Sequence, residues 1–144
     1  MALATARFGD RVPVLMGLGA ARFHRAIPRA LTTTFVAVPE QTHEVQLDDH
    51  VGVVKFVTRE TAKMDARLEP FETGYALVAT REQTVLDVAH RPQWGGGVAL
   101  ARETITALWP RLDHEWLNQL AQDQGRLAAL HRARDLAENG ADER

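Results

Sequence analysis

His43 and His50, with Glu44, Asp48 and Asp49 between them, form the first cluster whose residue types could hold a metal ion. Structural and catalytic metal sites repeat a few short ligand spacings, and this run fits none of them. A turn flanked by polar strand ends accounts for it without metal. Asp113-His114-Glu115 has the residue types of an acid/base site. At a helix start, however, adjacent side chains do not face one another. Asp113 reads as an N-cap and Glu115 as a charge complementing the helix dipole. Gly95-Gly96-Gly97 raises phosphate binding, but a phosphate loop needs a preceding strand, a spaced second glycine and a Lys-Ser/Thr pair. The triplet reads as a flexible joint. A restriction-type nuclease core needs a carboxylate just ahead of its lysine; ahead of Lys55 stand Val53 and Val54. Serine and cysteine are absent from the chain, which removes serine and cysteine nucleophiles, thiolate metal sites and disulfides. No acid/base pair is recognisable from spacing. The expectation is a chain with no catalytic residue, no metal and no cofactor.

What remains is binding chemistry. Net charge is −2, too near neutral to imply nucleic acid by itself. The charge is unevenly spread: Arg7, Arg11, Arg22, Arg25 and Arg29 face a single Asp10, and basic residues return at Arg126, Arg132 and Arg134. A solvated basic face is the bland reading, and a docking face for something acidic is the sharper one. Trp109 and Trp116 fall on apolar helix faces and read as core. Trp94 follows Pro92-Gln93 ahead of the glycines and reads as a partly exposed anchor for a partner. The partner-binding candidates are therefore Arg22, Arg25, Arg29, Trp94, Arg132 and Arg134. DNA binding is the weaker alternative, since no winged-helix pattern or aromatic stacking platform is visible.

The elements that must position these residues follow an α+β order. Apolar residues make up 45% of the 144 and charged residues 25%, which suits one globular domain over 1–144 with a core of its own. Residues 1–12 read as a loose lead-in and 140–144 as a frayed tail. Pro13 suits a first helical turn, and Leu15, Leu18, Ala21 and Ala26 predict a helix from Val14 to Ala26. Gly17 and Gly19 weaken it by about 1 kcal/mol each relative to alanine, which points to close packing against a neighbour. Four to five strands of a small mixed sheet follow: Leu31 to Val38, the edge candidate Glu44 to Leu47, Val51 to Thr58, Arg67 to Phe71 and Tyr75 to Ala79. Val51 to Thr58 has apolar residues on both faces and is predicted to be central. Three to four helices close the chain. Thr80 and Gln83 form a capping box opening a helix from Arg81 to about Arg91; Asp113 caps a helix that closes at Gly125; and a last one ends at Asn139-Gly140. No stretch approaches membrane-spanning length, and the chain is expected to be cytoplasmic.

Three segments in order resemble the AbiEi family of antitoxins. Met16 to Ala30 resembles the helix that follows the DNA-binding region of that family, and Val51 to Thr61 resembles its central strand. Thr80-Arg81-Glu82-Gln83-Thr84-Val85-Leu86-Asp87-Val88-Ala89 is similar to its capped helix of the form Thr-x-Glu-x-Thr-x-Leu-Asp. The resemblance spans roughly 14 to 137. It implies an antitoxin domain that binds and neutralises a cognate nucleotidyltransferase toxin. Full-length members also carry an N-terminal winged helix that represses their own promoter, and the dozen residues before Val14 leave no room for one. The chain is thus expected to be the neutralising half without the repressor half, as a natural short form or as the C-terminal part of a longer protein. Nucleic acid would be a partner only with a winged helix supplied elsewhere. The other readings are a regulator acting on its own promoter and a degenerate nuclease-like enzyme. The signature residues Thr80, Gln83, Thr84 and Asp87 read as fold maintenance: Thr80 and Gln83 cap, Thr84 packs, and Asp87 ties a neighbouring loop.

Overall fold

A glycine decides how the chain begins. The computed structural model describes residues 13–27, 33–40, 45–47, 52–72 and 74–142. Val14–Met16 is a strand (β1), and only then does the chain turn into a helix, Gly17–Phe23 (α1). The single helix predicted from Val14 to Ala26 is therefore corrected to a strand followed by a shorter helix. At the junction Gly17 holds φ +54, and a Cβ there would stand 2.3 Å from the carbonyl oxygen of Trp94. Only glycine permits both the left-handed backbone and that approach. A Cβ on Gly19 would meet Thr34 Oγ1 at 2.2 Å and Leu15 Cδ1 at 2.5 Å, so the expected close packing is found at both glycines.

Helix α1 ends early for a local reason. Arg25 donates its amide to Arg22 O and Ala26 to Ala21 O, the paired bonds of a Schellman motif. Arg25 occupies the left-handed position of that motif at φ +61 without being glycine. The same motif recurs before the last helix, where Gly125 takes the position at φ +66 and Arg126 donates to Ala121 O.

The strands after α1 are Thr33–Val38 (β2), Val45–Leu47 (β3), Gly52–Thr58 (β4), Ala66–Phe71 (β5) and Gly74–Ala79 (β6). They form one sheet in the order β3-β4-β2-β1-β6-β5. It is mixed: β1 runs parallel to β6 and β2 to β4, while the other neighbours are antiparallel. Strand β4 lies second from the edge and is half-buried along most of its length, so the expected central position is corrected. Apolar residues on both faces report burial on two sides but not rank within a sheet. Val14 pairs with Ala37 and Leu77, and Met16 with Phe35; this face is buried. Leu15, Val36 and Phe56 align on the other face and are only partly covered.

Four helices follow: Arg81–His90 (α2), Val98–Leu108 (α3), His114–Asp123 (α4) and Leu127–Asp142 (α5). Helix α2 is the hub, touching α1, α3, α4 and α5, and every residue from Gln83 to Ala89 is buried. One hydrophobic cluster joins the sheet to these helices, from Val14 to Ala137. Gly95 and Gly96 before α3 form a packed turn rather than a loose joint, while Gly97 faces open space. A Cβ on Gly95 would come within 2.9 Å of Val88 Cγ1, and Gly96 (φ +86) closes a 3-10 turn over Pro92–Gly95. Among the described residues no helix is long and apolar enough to cross a membrane.

Candidate functional site

Because α2 is buried on all sides, its polar side chains must find partners inside the protein. Thr80 Oγ1 accepts from the Gln83 amide at 3.2 Å and donates to Asp65 Oδ2 at 2.6 Å. The return half of the predicted capping box is not made. The Thr80 amide donates to Asp65 O instead, and Gln83 Oε1 accepts from the Asp65 amide at 2.8 Å. The reason is tertiary: the turn before β5 lies against the start of the helix and takes both roles. Thr84 Oγ1 donates to Thr80 O at 2.8 Å. Gln83 Nε2 donates to Asp87 Oδ1 at 2.9 Å, and the Gln83 and Gln124 amides pair with each other. Gln124 also donates to Lys63 O at 3.0 Å. Asp87, 2% exposed, meets Arg59 Nη1 at 2.9 Å through its other oxygen. Thr80, Gln83 and Asp87 thus hold α2 against the turn before β5, the end of α4 and the end of β4, while Thr84 bonds back to the start of its own helix.

Arg59 leads from this network to the surface. Its guanidinium sits 5.1 Å from the centre of the Trp94 ring, and that of Arg91 sits 5.3 Å away. Trp94 is half-buried, as its place before the glycines led us to expect, and His90 packs against it with ring centroids 5.9 Å apart. These residues border an open groove of about 1100 Å³ that runs past Trp116 and Gln124 to Arg126. Trp116 was expected in the core; it is 36% exposed, and its indole Nε1 donates to Asp65 Oδ2 at 2.8 Å. That bond explains the correction, because an indole N–H needs an acceptor and the acceptor lies at the groove wall.

The groove is electrically mixed. Arg59, Lys63, Arg91 and Arg126 line it together with Glu60, Asp65 and Asp123. His90 has its pKa lowered, first by burial and then by the charges of Arg126 and Arg91, with Asp87 acting in the opposite direction. Arg59 adds to the lowering.

The arginines singled out from sequence do not converge on this groove. Arg22 and Arg25 are exposed around the end of α1. Arg132 donates to Ala89 O, one of the carbonyls that the end of α2 leaves open, so its guanidinium caps a helix. Arg134 is half-buried on α5, and Arg29 lies outside the described residues, as do His43, Glu44, Asp48, Asp49 and His50. Among the described residues no group of three His, Asp or Glu side chains stands together as a metal site would require. Arg59 and Arg91 were not singled out from sequence, and Arg126 stood only among the basic residues near the end of the chain. The three stand far apart in the chain, and Arg91 alone is a sequence neighbour of Trp94.

Fold and groove together define an α+β domain: a mixed six-stranded sheet with a buried polar helix hub, opening on a groove walled by arginine and tryptophan. No protein-family model matches the chain, and no curated protein matches it.

Proposed function

We propose that the chain is a protein-binding domain that neutralises a nucleotidyltransferase toxin by direct contact, without chemistry of its own. The observation that carries the binding part is Trp94: half-buried, with two guanidinium groups against it, at the border of an open groove. A large aromatic ring beside two arginines matches the composition of interface anchors. The partner class comes from the resemblance to AbiEi antitoxins over the Met16, Val51 and Thr80 segments. The signature residues support the reading indirectly. Thr80, Gln83, Thr84 and Asp87 are spent on bonds within the fold, as fold-maintaining residues of a binding domain would be.

The test is co-expression with the product of the reading frame adjacent to this chain's gene, which the proposal requires to be a nucleotidyltransferase. Relief of growth arrest together with a co-purifying complex is the expected outcome. Growth arrest that persists, with no complex on size exclusion, overturns the proposal.

A further inference from the structure

Three features of the molecule lie open after the polar network is accounted for. The exposed Phe71 and Tyr75 of the β5–β6 hairpin have no feature nearby that specifies an occupant. The half-covered row of Leu15, Val36 and Phe56 is equally silent. The groove is different, because its charges and its ring select a ligand chemistry.

We propose that the groove receives an acidic segment of the partner protein, a carboxylate lying between Arg91 and Arg126 and a neighbouring apolar side chain covering Trp94. The inference rests on the protein-binding reading above and specifies its contact. Arg59 is already committed to Asp87, but Arg91 and Arg126 have no carboxylate partner among the described residues. Both line the groove beside His90, and the Arg91 guanidinium lies 5.3 Å from the centre of the Trp94 ring. Two arginines without a carboxylate partner in one groove, next to a half-covered indole, match a carboxylate side chain flanked by an apolar one.

The same groove disfavours a nucleic-acid strand. Glu60, Asp65 and Asp123 line it together with its cations, so a phosphate backbone running its length would meet carboxylates as well as guanidinium groups. One carboxylate placed against Arg91 and Arg126 need not run that length. The opening also suits a peptide segment, since at about 1100 Å³ it exceeds most small-molecule sites.

The experiment uses the full chain and the co-expressed nucleotidyltransferase, with affinity read by titration calorimetry. Arg91→Glu and Arg126→Glu are each expected to weaken the complex about 100-fold, and Trp94→Ala about tenfold. Arg22→Glu, on another face of the same basic inventory, is expected to leave affinity unchanged. The melting temperature of each variant is measured alongside, so that a folding defect is not read as lost contact. If Arg22→Glu weakens the complex while Arg91→Glu does not, the groove inference is overturned and the protein-binding reading survives.

A second arm does not depend on the toxin. A blocked peptide carrying one glutamate flanked by leucines is titrated while the His90 ring resonance is followed by NMR. The expected result is a shift of that resonance and a rise in the His90 pKa, absent in Arg91→Glu. An unmoved His90 signal at millimolar peptide, or a twelve-nucleotide thymidine strand that binds where the peptide does not, overturns the proposal.

Discussion

Gln83→Leu tests whether the buried amide network holds the fold. Gln83 is wholly buried and makes hydrogen bonds to the Asp65 amide, to Asp87 Oδ1 and, in both directions, to Gln124. Leucine fills a similar volume and makes none of them. The Asp65 amide then loses its acceptor, at about 1–2 kcal/mol, and the Asp87 carboxylate loses a donor, at about 1.5–3 kcal/mol. Gln124 is partly exposed and turns to solvent, so it adds little. The extra apolar burial of leucine offsets about 1 kcal/mol, leaving a net loss of about 1.5–4 kcal/mol. For a chain of 144 residues the entropy of unfolding is about 0.3 kcal/mol/K. The melting temperature should therefore fall by roughly 5–13 °C, read by thermal unfolding at pH 7.5. Gln83→Glu gives an internal check: it sets a second carboxylate against Asp87, so its defect should shrink in acid as one of the pair takes a proton. A Gln83→Leu protein that melts within about 2 °C of the parent would refute the reasoning.

Arg59→Leu should cost about 3–5 kcal/mol by leaving Asp87 buried and uncompensated, and adding Asp87→Leu should restore much of it; denaturant titration of the three variants checks this. Gly17→Ala, which forces a Cβ against the Trp94 carbonyl at φ +54, should unfold the protein or cost above about 3 kcal/mol. Gly74→Ala meets nothing within 4 Å, and its cost should be confined to backbone strain of about 1 kcal/mol. Arg25→Gly relieves a left-handed residue and should raise stability by about 0.5–1 kcal/mol, visible as a higher urea midpoint. His24 donates Nε2–H to Ala79 O, and its pKa is lowered, chiefly by burial. A depressed histidine contributes stability that is complete above the ordinary value of 6.5 and lost as pH falls through the folded pKa. Melting curves between pH 7.5 and 5 should show this loss, smaller in His24→Gln, and equal slopes for the two proteins would contradict it.

Legibility in the sequence followed the range of the interaction. The caps at Thr80 and Asp113 and the close at Gly125 were readable because a cap is a bond between near neighbours, and all three are present. The short strand at Val45–Leu47 was placed at an edge and lies there. Val14–Met16 was misread because three residues are too few to show alternation, and Pro13 is equally at home before a helix. What decides the matter is pairing with β2 on one side and, from far along the chain, with β6 on the other. Trp116 shares a helical stripe with Leu117 and Leu120, so periodicity placed it inside. The bond to Asp65 that draws its edge to the groove spans fifty-one positions. The groove was invisible for the same reason: Arg59, Arg91 and Arg126 meet only after β4, α2 and the α4–α5 turn have packed.

Arg59 gives the groove its rigidity. On its inner side it is paired with the nearly inaccessible Asp87, and on its outer side it lies against Trp94. Neither the ring nor the end of β4 can shift without disturbing a buried ion pair whose disruption costs several kcal/mol. Trp94 is held from the other direction as well, since its backbone is the surface against which Gly17 turns. A side chain fixed at both backbone and ring gives up little conformational entropy when a partner covers it. The exposed guanidinium of Arg91 retains more freedom, so ordering it would account for most of the entropy lost on this side of a complex. This division of labour explains why the residues most deeply embedded in the fold, Gln83 and Asp87, stand one step behind the groove rather than in it. Substituting them should loosen the groove without removing a single residue from its lining.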